Sequence, residues 1–221
     1  PTLVWMRSLG IRFQPMYRPR PGANPSFSGV PTVDAWGGGI GLVNALVEEA
    51  TRLGVEIRYE SEAIRLHRGD NGIEALDVRN ASGAVERIDT KSVVLAAGGF
   101  SANPEWRAKY LGPGWDLVKV RGSRFDTGGG IAMALEVGAA TAGHWSGCHA
   151  IAWDRNAGEF GDINRPAAYQ RHGYPYGIVV NADGKRFIDE GADFRNITYS
   201  KYGRRVLEQP QQTAWQVFDA N

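Results

Sequence analysis

With 221 residues, the chain is long enough for one large domain or one and a half smaller ones, and its 43% hydrophobic content provides for a core. Twenty-five basic residues against 24 acidic ones leave a net charge of +1, with no block of like charge, which argues against a nucleic-acid or membrane-surface footprint. A single cysteine, Cys148, excludes an internal disulfide and makes a zinc cluster implausible, so a reducing, cytoplasmic setting is the expectation.

Residues 1 to 36 carry six of the eleven prolines and little periodicity, which predicts mostly loop. The run "GGGIGLVNALVEEATRLG" predicts a helix, with Leu42, Leu46, Ala50 and Leu53 at helical spacing and Gly54 as its stop. "VEIRYESEAIRLH" alternates with period two and reads as strand. The turn signals "GDNG" (69–72) and "ASG" (81–83) separate it from "IEALDVR" and "AVERI", giving an antiparallel meander. "SVVLAAGGF" (92–100) has the continuous apolar run of a buried parallel strand. "NPEWRAKYLG" opens a helix, with Asn103 as N-cap and Pro104 at the first helical position. Residues 112 to 175 are irregular around one helix, Ile131 to Val137. "GIVVNADGKRFIDE" predicts a hairpin, "NITYSKYGRRVLEQ" a helix and "TAWQVFD" a final strand. The change of texture near 110 to 120 divides the chain into residues 1–115 and 116–221. No apolar run reaches the length of a membrane span, and the Asn80 and Asn196 sequons are chance matches in a cytoplasmic reading.

The helix–strand–meander–strand order of 37 to 100 outlines the second half of a dinucleotide-binding domain. The fold class is therefore mixed α/β, with part of a Rossmann-like dinucleotide-binding domain followed by a second α+β region. "AAGG" suits either a ligand lying against the backbone or tight strand–helix packing, with nothing in the motif to choose. "TGGGIAMALEVGA" (127–139) puts three glycines before a helix, where backbone N–H groups attract electron-rich ligands. It misses GxGxxG because Met133 stands where the third glycine belongs. The four histidines, His67, His144, His149 and His172, have no metal-ligand spacing, so no metal is expected. Arginines are plentiful after residue 120 (Arg121, Arg124, Arg165, Arg171, Arg186 and Arg195), and several converging on one pocket would recognise a di- or tricarboxylate. Taken singly, each also fits a solvated surface.

Four motifs in order, "GGGIGLVNALVEEATRLGVEIRYESEAIRL", "VVLAAGGFSANPEW", "TGGGIAMALEVGA" and "GIVVNADGKRFIDE", resemble the fumarate reductase/succinate dehydrogenase flavoprotein family over roughly residues 37 to 219. "DEGADFRNITYSKYG" and "WSGCHA" are most similar to its tricarballylate dehydrogenase and precorrin-3B synthase flavoprotein branch. The resemblance implies an FAD domain interrupted by a cap, with substrate held between cap and flavin. It places Ala63 at the adenine, Ala96, Ala97, Gly98 and Gly99 along the dinucleotide, and Thr127, Gly128, Gly129 and Gly130 near the flavin ring. It also implies His149 as a substrate-binding histidine, Arg195 as the catalytic arginine, and Glu190 or Asp193 as its acidic relay. The reaction implied is hydride transfer between a small carboxylate and flavin N5, with arginine-mediated proton transfer. A membrane-bound iron–sulfur protein is the implied electron partner, and no nucleic acid is involved.

Two departures accompany the resemblance. Gly129 stands where many members carry an acidic residue. The family's strand–GxGxxG–helix would precede Pro1, so the chain reads as an internal piece, expected to fold without holding flavin or showing activity by itself. An apolar, steroid-like substrate is the alternative for the parent protein.

Overall fold

The computed structural model describes residues 1–15, 33–165 and 169–219. The chain forms two compact units, Pro1–Tyr59 and Glu60–Asn221. The boundary expected near 110 to 120 lies inside the second.

The first unit contains helix α1 (Thr2–Ser8), the short antiparallel pair β1 (Phe13–Pro15) and β2 (Val33–Ala35), and helix α2 (Gly38–Arg52). The mostly-loop expectation for residues 1 to 36 is corrected at its start. Pro1 occupies the cap position, where a missing N–H costs nothing, and the next seven residues close into helix. The remaining prolines of that segment, apart from Pro15 and Pro1, fall outside the described residues. Both helices end alike. After α1, the Gly10 N–H donates to the Arg7 carbonyl (3.1 Å) and the Ile11 N–H to that of Met6 (3.2 Å). After α2, Gly54 donates to Thr51 (3.0 Å) and Val55 to Ala50 (2.9 Å). Each stop is a Schellman motif around a glycine with φ of +84° or +77°, a conformation glycine adopts without strain.

The second unit opens on an antiparallel meander, β3 (Ser61–Gly69), β4 (Gly72–Asn80) and β5 (Val85–Asp89), in the expected order. The β4–β5 turn is fixed by Asn80, whose Oδ1 accepts from the Ser82 and Ala84 amides at 3.0 Å each. Helix α3 (Pro104–Leu111) begins where the sequence predicts, with the Trp106 N–H donating to Asn103 Oδ1 at 3.0 Å. Helix α4 (Gly129–Glu136) closes in a third Schellman motif at Gly138. Strand β6 (Ile178–Asn181), helix α5 (Arg195–Leu207) and strand β7 (Ala214–Val217) complete the unit.

Three expectations are corrected here. "SVVLAAGGF" runs extended but joins no ladder among the described residues, and Val94 is 90% exposed. Residues 55–58 likewise belong to no strand, which begins only at Ser61. An apolar, β-branched segment becomes a strand only where another strand takes its N–H and C=O groups. The "NADG" hairpin shrinks to one bridge, Val180 to Arg186, and β6 pairs instead with β7 in antiparallel register from Ile178↔Val217 to Asn181↔Ala214.

Two buried arrangements hold the second unit. Tyr174, Val179 and Tyr202 form a core with Phe187, Ile188, Tyr199 and Ala214 packed around it. The Tyr174 and Tyr202 rings meet edge-to-face at 4.9 Å, and the Tyr202 hydroxyl bonds the Asp189 carbonyl. Elsewhere Arg107, 6% exposed, donates to the carbonyls of Ser101 (2.5 Å), Trp115 (2.8 Å), Asp116 (2.8 Å) and Val118 (3.4 Å). That one side chain ties the loop after "AAGGFS" to the turn after α3. Burial lowers its pKa below the ordinary arginine value.

Candidate functional site

The glycine run at the start of α4 divides by function. Gly128 caps the helix at φ +89°, and a Cβ there would stand 2.8 Å from Trp106. At Gly130 a Cβ would stand 3.2 Å from that of Ala97. Both are therefore accounted for by backbone conformation and packing. Gly129 is different: a Cβ there meets nothing within 4 Å. Opposite this run, Gly98 (φ +76°) faces Asp126, whose Oδ1 would lie 2.6 Å from an added Cβ. Asp126 Oδ2 accepts from the Ser101 amide (3.2 Å) and hydroxyl (2.5 Å), while its Oδ1 is buried without a partner. Asn103 Nδ2 donates to the Thr127 carbonyl at 3.0 Å, which locks the two glycine segments together.

Small residues from both segments wall a cavity of about 210 Å³ that includes Ala97, Gly98, Gly130 and Ala134. Walls of glycine and alanine let a flat ring approach the backbone, so the residues expected along the dinucleotide fit such a group. Ala96 and Gly99 belong to the same extended segment. Ala63 is exposed on β3, paired with Val78 beside a register shift. It does not line this cavity.

A second cavity, of about 450 Å³, is lined by Gly99, Ser101 and Asp126 together with Arg121, Cys148 and His149. Beyond it, α5 carries Arg195 and Tyr199 one turn apart, at a spacing that puts them on one face. The Tyr199 hydroxyl is 2.6 Å from His149 Nε2, and its ring meets His149 and His172 edge-to-face at 5.1 and 5.2 Å. With the Gln170 amide oriented by its surroundings, its nitrogen donates to His172 Nε2 at 2.9 Å and its oxygen faces Arg121. Burial first, then the charges of Arg195 and Arg121, push His172 down to about 4, so it is neutral at pH 7. The Arg195 Nη2 donates to Asn196 Oδ1 at 3.0 Å, while its buried Nε has no partner.

The structure thus gathers His149 and His172 at Tyr199, on the helix that carries Arg195. It does not bring Glu190 to them. Glu190 is 5% exposed, accepts from the Val179 amide at 2.6 Å and pairs with Arg186. Burial pushes its carboxyl up, but Arg186 and that amide outweigh the penalty and hold it below its ordinary value. Asp193 Oδ1 accepts from the Phe194 amide at 2.7 Å. His172, Gln170 and Tyr199 carried no sequence signal, because they meet each other and His149 only through folding, with His149 and Tyr199 50 residues apart. Among the described residues no cluster of His, Cys, Asp and Glu could hold a metal, and no helix is long and apolar enough to cross a membrane.

Two glycine segments thus wall a cavity that fits a flat ring, near an arginine–histidine cluster. The chain matches the family described as "FAD binding domain" over residues 2–220 and belongs to it. It is 29% identical over 179 residues to the probable fumarate reductase Ifc3 of Shewanella frigidimarina, covering 80% of this chain and 28% of that protein. Against the 4-oxocyclohexanecarboxylate 2-dehydrogenase of Sinomonas cyclohexanicum it is 32% identical over 160 residues, 71% of this chain and 27% of the relative. The fold superposes on a flavocytochrome c3 fumarate reductase in its open conformation with a TM-score of 0.70 at 27% identity, covering 98% of this chain and 36% of that one. The chain therefore spans about a third or less of these relatives' length.

Proposed function

We propose that this chain forms the central part of an FAD-dependent dehydrogenase or reductase acting on a small di- or tricarboxylate, of the tricarballylate kind. The carrying observation is the cavity in which Gly99 and Asp126 share walls with Arg121 and His149. The segment expected to lie along the dinucleotide and the groups able to bind a carboxylate open onto one space. When bound, the flavin supplies the hydride acceptor or donor, its electrons exchanged with a separate electron-transfer partner. Ala96–Gly99 and Thr127–Gly130 give it a close wall, with Gly129 leaving the open approach.

The chain's own groups bind and orient the substrate and handle the proton. The unpartnered Arg195 Nε is a donor with no competing carboxylate bound to it among the described residues. In this reading Arg195 exchanges the proton at the substrate carbon, His149 holds the substrate, and Tyr199 fixes His149. Glu190 acts one step back, anchoring β6 and the segment that leads to Arg195. Neutral His172 adds no charge that would draw the carboxylate away from the arginines.

The test uses the full-length protein. Arg195→Gln lowers kcat for tricarballylate oxidation or fumarate reduction by about 10²–10⁴-fold while the flavin absorbance is retained. Undiminished turnover removes Arg195 from the mechanism. Turnover of a 3-oxosteroid with none of any carboxylate overturns the substrate class.

A further inference from the structure

Three cations line the 450 Å³ cavity: Arg107, Lys119 and Arg121. Two of them are committed to the fold. The Arg107 guanidinium is spent on four backbone carbonyls. The Lys119 ammonium bonds the carbonyls of Arg155 (2.5 Å) and Ala157. Arg121 is exposed and has no carboxylate within ion-pair distance among the described residues. Of the Asp126 carboxylate in the same cavity, Oδ2 is held at Ser101 and Oδ1 has no partner among the described residues.

The Gln170 amide lies against Arg121. The Gln170 oxygen lies 2.6 Å from Nη2, 3.1 Å from Nη1 and 3.2 Å from Nε. An oxygen that near all three nitrogens sits over the guanidinium face, since in the plane it could reach only two. The face is occupied and the in-plane N–H fork is left open. That fork matches a carboxylate, which takes two parallel N–H bonds. Gln170 is itself fixed by its bond to His172 Nε2 (2.9 Å), so a string of contacts runs from the Tyr199–His149 pair to the guanidinium.

We propose that Arg121, with its face covered by Gln170 and its N–H fork open, is the residue that anchors a substrate carboxylate in this cavity and so selects anionic over apolar substrates. This rests on the carboxylate reading given above. Arg195 lies outside the lining of this cavity, on α5 with Tyr199 and near His172.

Cys148, exposed, lining the same cavity and the only cysteine, is the reporter. Its alkylation by iodoacetamide is followed by mass spectrometry in the 221-residue chain, with tricarballylate or its uncharged trimethyl ester added. The triacid is expected to slow alkylation and the ester to leave it unchanged. Arg121→Gln raises the triacid concentration needed for half-protection by about 10–100-fold, the loss of a charge-assisted bond. Arg121→Lys, which keeps the charge and loses the fork, falls between, and far-UV circular dichroism confirms that each variant is folded. Full protection in Arg121→Gln that vanishes in Arg195→Gln overturns the assignment and leaves the carboxylate reading standing. No protection of the unsubstituted chain by any carboxylate overturns both.

Discussion

Replacing each glycine of the 128–130 run with alanine, one at a time, separates the three roles the structure gives them. At Gly128 the backbone is left-handed (φ +89°), which costs an L-residue about 1–2 kcal/mol. The new methyl would also stand 2.8 Å from Trp106 Cζ3 and 3.2 Å from Phe100 Cβ, and overpacking of that kind adds about 1–3 kcal/mol. At Gly129 the methyl enters open space, so the helical preference of alanine acts alone and stabilises by about 0.5–1 kcal/mol. At Gly130 that gain is set against the Ala97 methyl at 3.2 Å, and the two nearly cancel. Urea unfolding of the chain, followed by tryptophan fluorescence, reads the order directly: the midpoint rises for Gly129→Ala, hardly moves for Gly130→Ala and falls clearly for Gly128→Ala. An unchanged midpoint for Gly128→Ala, or a lowered one for Gly129→Ala, would falsify the division of the run into packing and open-approach positions.

Two further outcomes follow from the buried groups. Arg107→Leu keeps the bulk but strands four carbonyls, and a loss of about 3–5 kcal/mol is expected in the same urea assay; a loss under about 1 kcal/mol would show that water replaces the guanidinium. For His172, the folded value of about 4 lies below the ordinary 6.5, so the unfolded chain binds the proton more readily between them. Stability therefore rises with pH across that window and is lost as the pH falls from 6.5 towards 4. His172→Gln should flatten this part of the pH–stability curve, and an unchanged slope would remove His172 as its source.

What could be read from the sequence was what neighbouring residues decide among themselves. Gly54 marked the stop of α2 because a left-handed residue is what a Schellman motif needs, and Asn103–Pro104 marked the start of α3 because an N-cap and a missing N–H suit that position. The meander followed from period-two alternation cut by Asn and Gly turns. The motifs of the FAD-binding family were legible for a related reason: glycines and alanines that let a ring approach stand next to one another in the chain.

Tertiary structure decided the rest. Residues 92–99 and 55–58 have strand-like composition, yet they belong to no strand, because a ladder depends on a partner elsewhere. The run at 128–130 looked like one feature and became three, since Trp106 and Ala97 reach two of the glycines and nothing reaches the third. Arg121, His149, Gln170, His172, Arg195 and Tyr199 are spread over nearly 80 positions, and no local pattern foretells that they meet. Glu190, next to "RFID" in the motif, turned instead towards Val179 and Arg186. Local backbone preferences act over a few residues and leave a trace in the sequence. The placement of a charge depends on which distant carbonyl or amide reaches it, and that is fixed only when the chain has folded.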